Sequence, residues 1–127
     1  NSVAQMAGLE ALRGNQGFID QMLKEYDSRR LYIVDRLSRI PGITCQLPGG
    51  AFYVFPRVSG LYSRKIAGKE VKNSFELVDL LIEEAGVAFV PGACFGDDNH
   101  VRISFATDMA TIEEGMDRLE KFLAKGL

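Results

Sequence analysis

Gly86 to Ala106 reads GVAFVPGACFGDDNHVRISFA, and the alternation near its end decides what kind of fold carries it. His100, Arg102 and Ser104 interleave with Val101, Ile103 and Phe105. A strand here buries the second set and turns the first outward. Val87 to Val90 reads as a short buried strand, and Pro91 to Asn99 as the loop that leads into the strand bearing Arg102. Arg102 then stands on a fixed platform, where a guanidinium can grip a carboxylate with two parallel hydrogen bonds, a geometry an ammonium lacks. Taken alone, that arginine carries no function, because arginines on exposed strand faces are ordinarily solvated.

Working outward, helical patterns flank this stretch. Downstream, Thr107 or Asp108 caps a last helix whose inward residues are Ile112, Met116, Leu119 and Leu123. Lys121 and Lys125 fall on its polar face. Upstream, Asn73 and Glu76 have capping-box spacing and open a helix through Ala85, with Leu77, Val78, Leu80 and Leu81 inward and Gly86 as its stop. Residues 57–73 carry five cations against one glutamate without clear periodicity, and read as a mobile, solvated surface loop.

Before that loop, Ile43 to Leu47 and Ala51 to Phe55 are strand candidates joined at Pro48, Gly49 and Gly50, and the glycine pair reads as a tight hairpin. The chain begins with Ser2 and Gln5 at capping-box spacing and a helix to about Leu12, broken by Gly14, Asn15 and Gly17. A longer helix follows, with Ile19, Met22, Leu23, Tyr26, Ile33, Val34, Leu37 and Ile40 in one stripe, ended by Pro41 and Gly42. Its other face mixes Lys24, Glu25, Asp27, Arg29, Asp35 and Arg36, a solvated surface with local ion pairs. The stripe needs a broad cover, supplied by this domain or by a neighbouring one. The fold class is therefore α/β in the two-layer, α+β sense: a small mixed or antiparallel sheet with helices packed on one side.

Composition bounds the function. A chain of 127 residues, 46% apolar and 25% charged, suits one compact domain with a real core. A net charge of -2 gives no electrostatic case for nucleic acid, and no apolar run is long enough to cross a bilayer. The start, NSVAQMAGLEAL, has neither a basic leader nor an initiator methionine, which suggests a piece of a longer chain. Cys45 and Cys94 are too few for a disulfide scaffold or a zinc site and read as two reduced thiols of a cytoplasmic protein. No metal site is expected: Asp97 and Asp98 lack the spacing of a calcium loop. His100 has no evident nucleophile partner and reads as a surface residue.

Two stretches, PGGAFYVFP at 48–56 and GVAFVPGACFGDDNHVRISFA, resemble in content, order and separation the C-terminal part of class I aminotransferases, the pyridoxal-phosphate enzymes of the aspartate aminotransferase type. The resemblance implies that residues 1–127 form the small C-terminal domain of a fold-type I enzyme, with residues 1–40 a helical segment joining it to a large cofactor domain absent here. It implies that Arg102 binds the α-carboxylate shared by amino-acid and 2-oxo-acid substrates, with Gly50 and Phe52 beside the pocket. Aspartate and 2-oxoglutarate are the favoured pair. Pyridoxal 5'-phosphate, its Schiff-base lysine and the catalytic residues would lie in the large domain, since Lys24, Lys65, Lys69, Lys72, Lys121 and Lys125 have no matching context, so the chain alone would be inactive. The intact relatives are homodimers. The alternative is a non-catalytic binding or regulatory module on an aminotransferase-like scaffold.

Overall fold

The computed structural model describes residues 1–124; Lys125, assigned above to a polar helix face, lies outside the described residues. At its end, helix α4 (Met109–Ala124) starts where Asp108 accepts hydrogen bonds from the Thr111 amide (2.9 Å) and hydroxyl (2.7 Å), so Asp108 is the cap. Those bonds, the hydroxyl's first, hold the Asp108 carboxyl below its usual range. The helix buries Ile112, Met116, Leu119 and Leu123 together with Phe122.

Helix α3 (Ser74–Leu80) is capped by Asn73, which accepts from the Glu76 amide (2.9 Å). The return bond from Glu76 reaches the Lys72 amide (2.9 Å), one residue further back than a strict capping box. Its last turns widen over Leu81–Ala85, and Gly86 ends them at φ 64°. That left-handed backbone is easiest without a side chain. Leu77, Val78, Leu80 and Leu81 are buried, as the pattern predicts.

The sheet is small and antiparallel, in the order β1 (Tyr53–Val54), β5 (Val101–Ser104), β4 (Val90–Pro91). Tyr53 lies opposite Ser104 and Val54 opposite Ile103, and Val90 opposite Arg102. Val54, Val101, Ile103 and Phe105 are buried in one core with Leu37, Leu77, Leu81 and Leu119 from the helices. The helices therefore pack on that side, and Tyr53, Arg102 and Ser104 face the other. Helix α2 (Gly17–Ser38) is tied across to α4 by Arg36, which meets Glu120 and Asp117 at 2.7 Å each and also bonds to the Tyr32 hydroxyl.

Several local expectations fail, each for a physical reason. Asn1, not Ser2, caps α1 (Ser2–Arg13), accepting from the Val3 amide. Ile43 to Leu47 pairs only through the Thr44–Arg57 bridge, so Pro48, Gly49 and Gly50 do not close a tight hairpin. Neither glycine has positive φ; the left-handed residue is Ala51, at φ 67°. Strand Val87 to Val90 shrinks to Val90–Pro91, with Val87 buried ahead of it.

Residues 57–73 are not a mobile loop. Val58, Leu61, Ile66 and Val71 anchor them in the core, and a small hairpin, β2 (Lys65–Ile66) with β3 (Lys69–Glu70), lifts the cations outward. In α2 only Ile33 and Leu37 are buried, while Met22 and Leu23 are exposed along with Val3, Met6, Leu12 and Phe18. The stripe has the right period, but its first half has no cover among the described residues.

Phe105 is fully buried and meets Tyr26 edge-on, with centroids 6.3 Å apart. Phe105→Ala is expected to destabilise the protein by about 3–5 kcal/mol in urea unfolding; a loss below about 1 kcal/mol would contradict the packing described. Burial pushes the half-buried Cys45 thiol up to about 11, whereas Cys94 is exposed. Since the thiolate is the reactive form, iodoacetamide at mildly alkaline pH should label Cys94 first. The Cys45 rate should still be rising as pH approaches 11.

Candidate functional site

The outward face of β1 and β5 is aromatic around one cation. The β1–β5 register continues to a bridge between Arg57 and His100, which sets Phe55 opposite Arg102. The Arg102 guanidinium lies 5.6 Å from the centroid of the Tyr53 ring and 4.7 Å from that of Phe95. Phe55 meets Phe95 edge-on (6.1 Å, 87°) and stacks flat on His100 (4.9 Å, 6°), and Phe52 meets Tyr53 edge-on at 5.9 Å.

Arg29, Arg30, Arg36, Arg39 and Arg118 each face a carboxylate. Arg13, Arg57, Arg64 and Arg102 face none among the described residues, and of these four Arg102 is the one set against aromatic rings. A ring supports a guanidinium from its face and leaves the N–H donors at the edge unspent, which a carboxylate partner would not. The half-buried Arg102 thus keeps its N–H edge without a carboxylate partner among the described residues.

The loop that supplies Phe95 is held from both sides. Gly92–Phe95 forms a tight turn closed by Gly96 at φ 84°. The Gly92 amide donates to the His100 carbonyl (2.9 Å), and the Asp97 amide to that of Gly92 (3.2 Å). A β-carbon on Gly92 would come 2.2 Å from the His100 carbonyl oxygen and 2.4 Å from that of Asp97, so this backbone approach demands glycine.

From the helical side, Asp98 accepts at one oxygen from the amide (2.9 Å) and hydroxyl (2.6 Å) of the buried Ser74, at the start of α3. The Ser74 hydroxyl in turn accepts from the Ala93 amide (3.3 Å). Tyr62 donates to the Asp98 carbonyl, and burial, with Asp98 and Asp97 nearby, pushes its phenol up to about 12. Asp97 accepts from the Asn99 amide (3.0 Å) and lies 2.9 Å from His100 Nδ1, close enough for charge contact but outside the direction of a good hydrogen bond. The Asn99 bond first, and His100 second, hold the Asp97 carboxyl below its usual range.

The expected site residues fare differently. Arg102 stands outward on β5, between buried Val101 and Ile103. Phe52 reaches the same aromatic face through Tyr53, and its carbonyl accepts from the Phe105 amide (2.9 Å). Gly50 is exposed, and a β-carbon there would have nothing within 4 Å. Tyr53, Phe55 and Phe95 were missed, although the outward parity of Tyr53 and Phe55 was readable once β1 was drawn. A separate cleft of about 230 Å³, floored by Ile33, Val87, Ile103 and Met116 and rimmed by Glu114 and Arg118, does not include Arg102.

The family model described as aminotransferase class I and II matches residues 1–119. A probable aspartate/prephenate aminotransferase of Rhizobium leguminosarum is 40% identical over 122 residues, covering 95% of this chain and 30% of the relative. Among solved structures, the aspartate aminotransferase of Rhizobium meliloti superposes with a TM-score of 0.92 at 34% identity, covering 98% of this chain and 31% of its own. An alanine aminotransferase from Pyrococcus furiosus gives 0.87 at 36%, covering 98% and 30%. The chain spans about 30% of the length of these relatives.

Gly92→Ala is expected to cost about 1–3 kcal/mol, because two carbonyls must move. It should also open the loop, read as faster amide hydrogen exchange from Ala93 to Asn99. Unchanged exchange would show that the turn is held some other way.

Proposed function

The chain belongs to the class I and II aminotransferase family, and from that premise we propose that it is the C-terminal, substrate-binding domain of a pyridoxal-phosphate-dependent aminotransferase. Arg102 binds the α-carboxylate of an amino acid and then of a 2-oxo acid. Aspartate and 2-oxoglutarate are the proposed pair, in a cytoplasmic homodimer. Residues 1–127 form one domain, of which 1–40 is the helical segment leading to a large cofactor domain. Support for that division comes from the large apolar side chains of Val3, Met6, Leu12, Phe18, Met22 and Leu23, all left exposed along α1 and the first half of α2.

One observation carries the assignment: an outward arginine on a braced strand, flanked by two rings and without an acidic partner among the described residues. Every amino acid and its 2-oxo acid share the α-carboxylate, so a single bidentate anchor can orient both halves of a transamination. Phe52, Tyr53, Phe55 and Phe95 around it lower the local polarity, which strengthens a charge pair once water is displaced. Phe52 belongs to this wall; Gly50 is kept as a neighbour of the pocket on resemblance alone.

Pyridoxal phosphate needs a lysine for its Schiff base and donors for its phosphate. Lys24, Lys65, Lys69, Lys72 and Lys121 are all exposed, and none of them is proposed as the Schiff-base partner. The cofactor's electron-withdrawing chemistry is therefore assigned to the remainder of the enzyme.

In the full-length enzyme, Arg102→Ala should lower kcat/KM for both substrates by at least about 30-fold, the loss of one partner of a desolvated charge pair, while the visible absorbance of bound cofactor persists. Unchanged saturation by the amino acid would remove Arg102 from the role. This chain alone, mixed with pyridoxal phosphate, should give neither turnover nor a specific borohydride-reducible adduct.

A further inference from the structure

A bidentate grip requires more than a charge in the right place. The guanidinium plane must be fixed before the ligand arrives, or the entropy of ordering a long side chain is paid on every binding event. No carboxylate fixes Arg102 from its edge among the described residues, and two rings lie against it instead, Phe95 the nearer at 4.7 Å. Accepting that Arg102 is the carboxylate anchor, we propose that Phe95 is its positioning residue: the ring sets the plane of the guanidinium and leaves the N–H edge free for substrate.

Three features make Phe95 suited to this task. Its ring is braced edge-on by Phe55, which is itself stacked on His100, so the platform does not swing freely. Its loop is pinned by the Gly92–His100 hydrogen bond and by Asp98 to the start of α3, so its position is inherited from the core and not from solvent. It is also 50% exposed, so its contribution to the core is small and its removal is read at the site. Tyr53 backs the guanidinium from the neighbouring strand, 0.9 Å further from ring centroid to charge (5.6 against 4.7 Å).

The test uses the full-length enzyme with Phe95→Leu, Phe95→Tyr, Arg102→Ala and the Phe95→Leu/Arg102→Ala double variant. Phe95→Leu should raise KM for the amino acid and for the oxo acid alike, by about 3- to 30-fold. kcat should stay within about twofold, because ground-state and transition-state binding weaken together. Phe95→Tyr should restore KM, and Phe95→Leu should add nothing in the Arg102→Ala background. Cofactor absorbance and melting temperature serve as folding checks, with Phe95→Met replacing Leu if the latter fails them. An unchanged KM in Phe95→Leu, or an equal increment with and without Arg102, overturns the positioning role and leaves the anchor standing. An unchanged KM in Arg102→Ala overturns the anchor itself, and this inference with it.

Discussion

The antiparallel contact between β1 and β5 does two jobs with one set of backbone hydrogen bonds. It delivers Val54, Val101 and Ile103 to the core shared with α2, α3 and α4. By the same alternation it delivers Tyr53 and Arg102 to the opposite face. A slip of one residue would exchange the two sets, placing a guanidinium in the core and valines in water. Burial of the inner set thereby specifies the outer one, and the position of Arg102 follows from the packing of side chains it never touches.

The loop between β4 and β5 adds what the strands cannot supply. Strand geometry aims the Arg102 side chain, but a long side chain remains free to rotate about its own bonds. The ring of Phe95 comes from outside the sheet and is held by contacts from both directions, glycine against backbone on one side and Asp98 against Ser74 on the other. An aspartate accepting at a helix start gains from the unpaired amides and from the positive end of the helix dipole. A local tie of that kind converts α3, whose inward face packs in the core, into a support for the loop that carries Phe95.

The distribution of cover across the helices is equally uneven. α4 and the second half of α2 are sealed against the sheet and clamped to one another by Arg36. α1 buries no residue, and α2 only from Ile33 onward. In a chain that spans about 30% of the length of its relatives, an uncovered apolar helix face fits the division of labour proposed here, in which one domain grips the carboxylate and another holds the cofactor.

The sequence by itself determined the helices, the inward faces of α3 and α4, the outward parity of Arg102 and the class of fold. Each of these is written in the period of apolar residues and in caps such as Asn73, and both are local. It overdrew Ile43 to Leu47 and Val87 to Val90, because strand propensity says nothing about whether a partner strand is in reach. It mistook residues 57–73 for a mobile loop, because four spaced apolar side chains among five cations have no regular period to detect. Only the tertiary structure decided that Phe95 and Tyr53 flank Arg102 and that Asp98 reaches Ser74. The Tyr53–Arg102 and Asp98–Ser74 contacts join residues distant in the chain and depend on strand register, while Phe95 reaches Arg102 within one stretch only through the way its loop closes, which apolar periodicity does not encode.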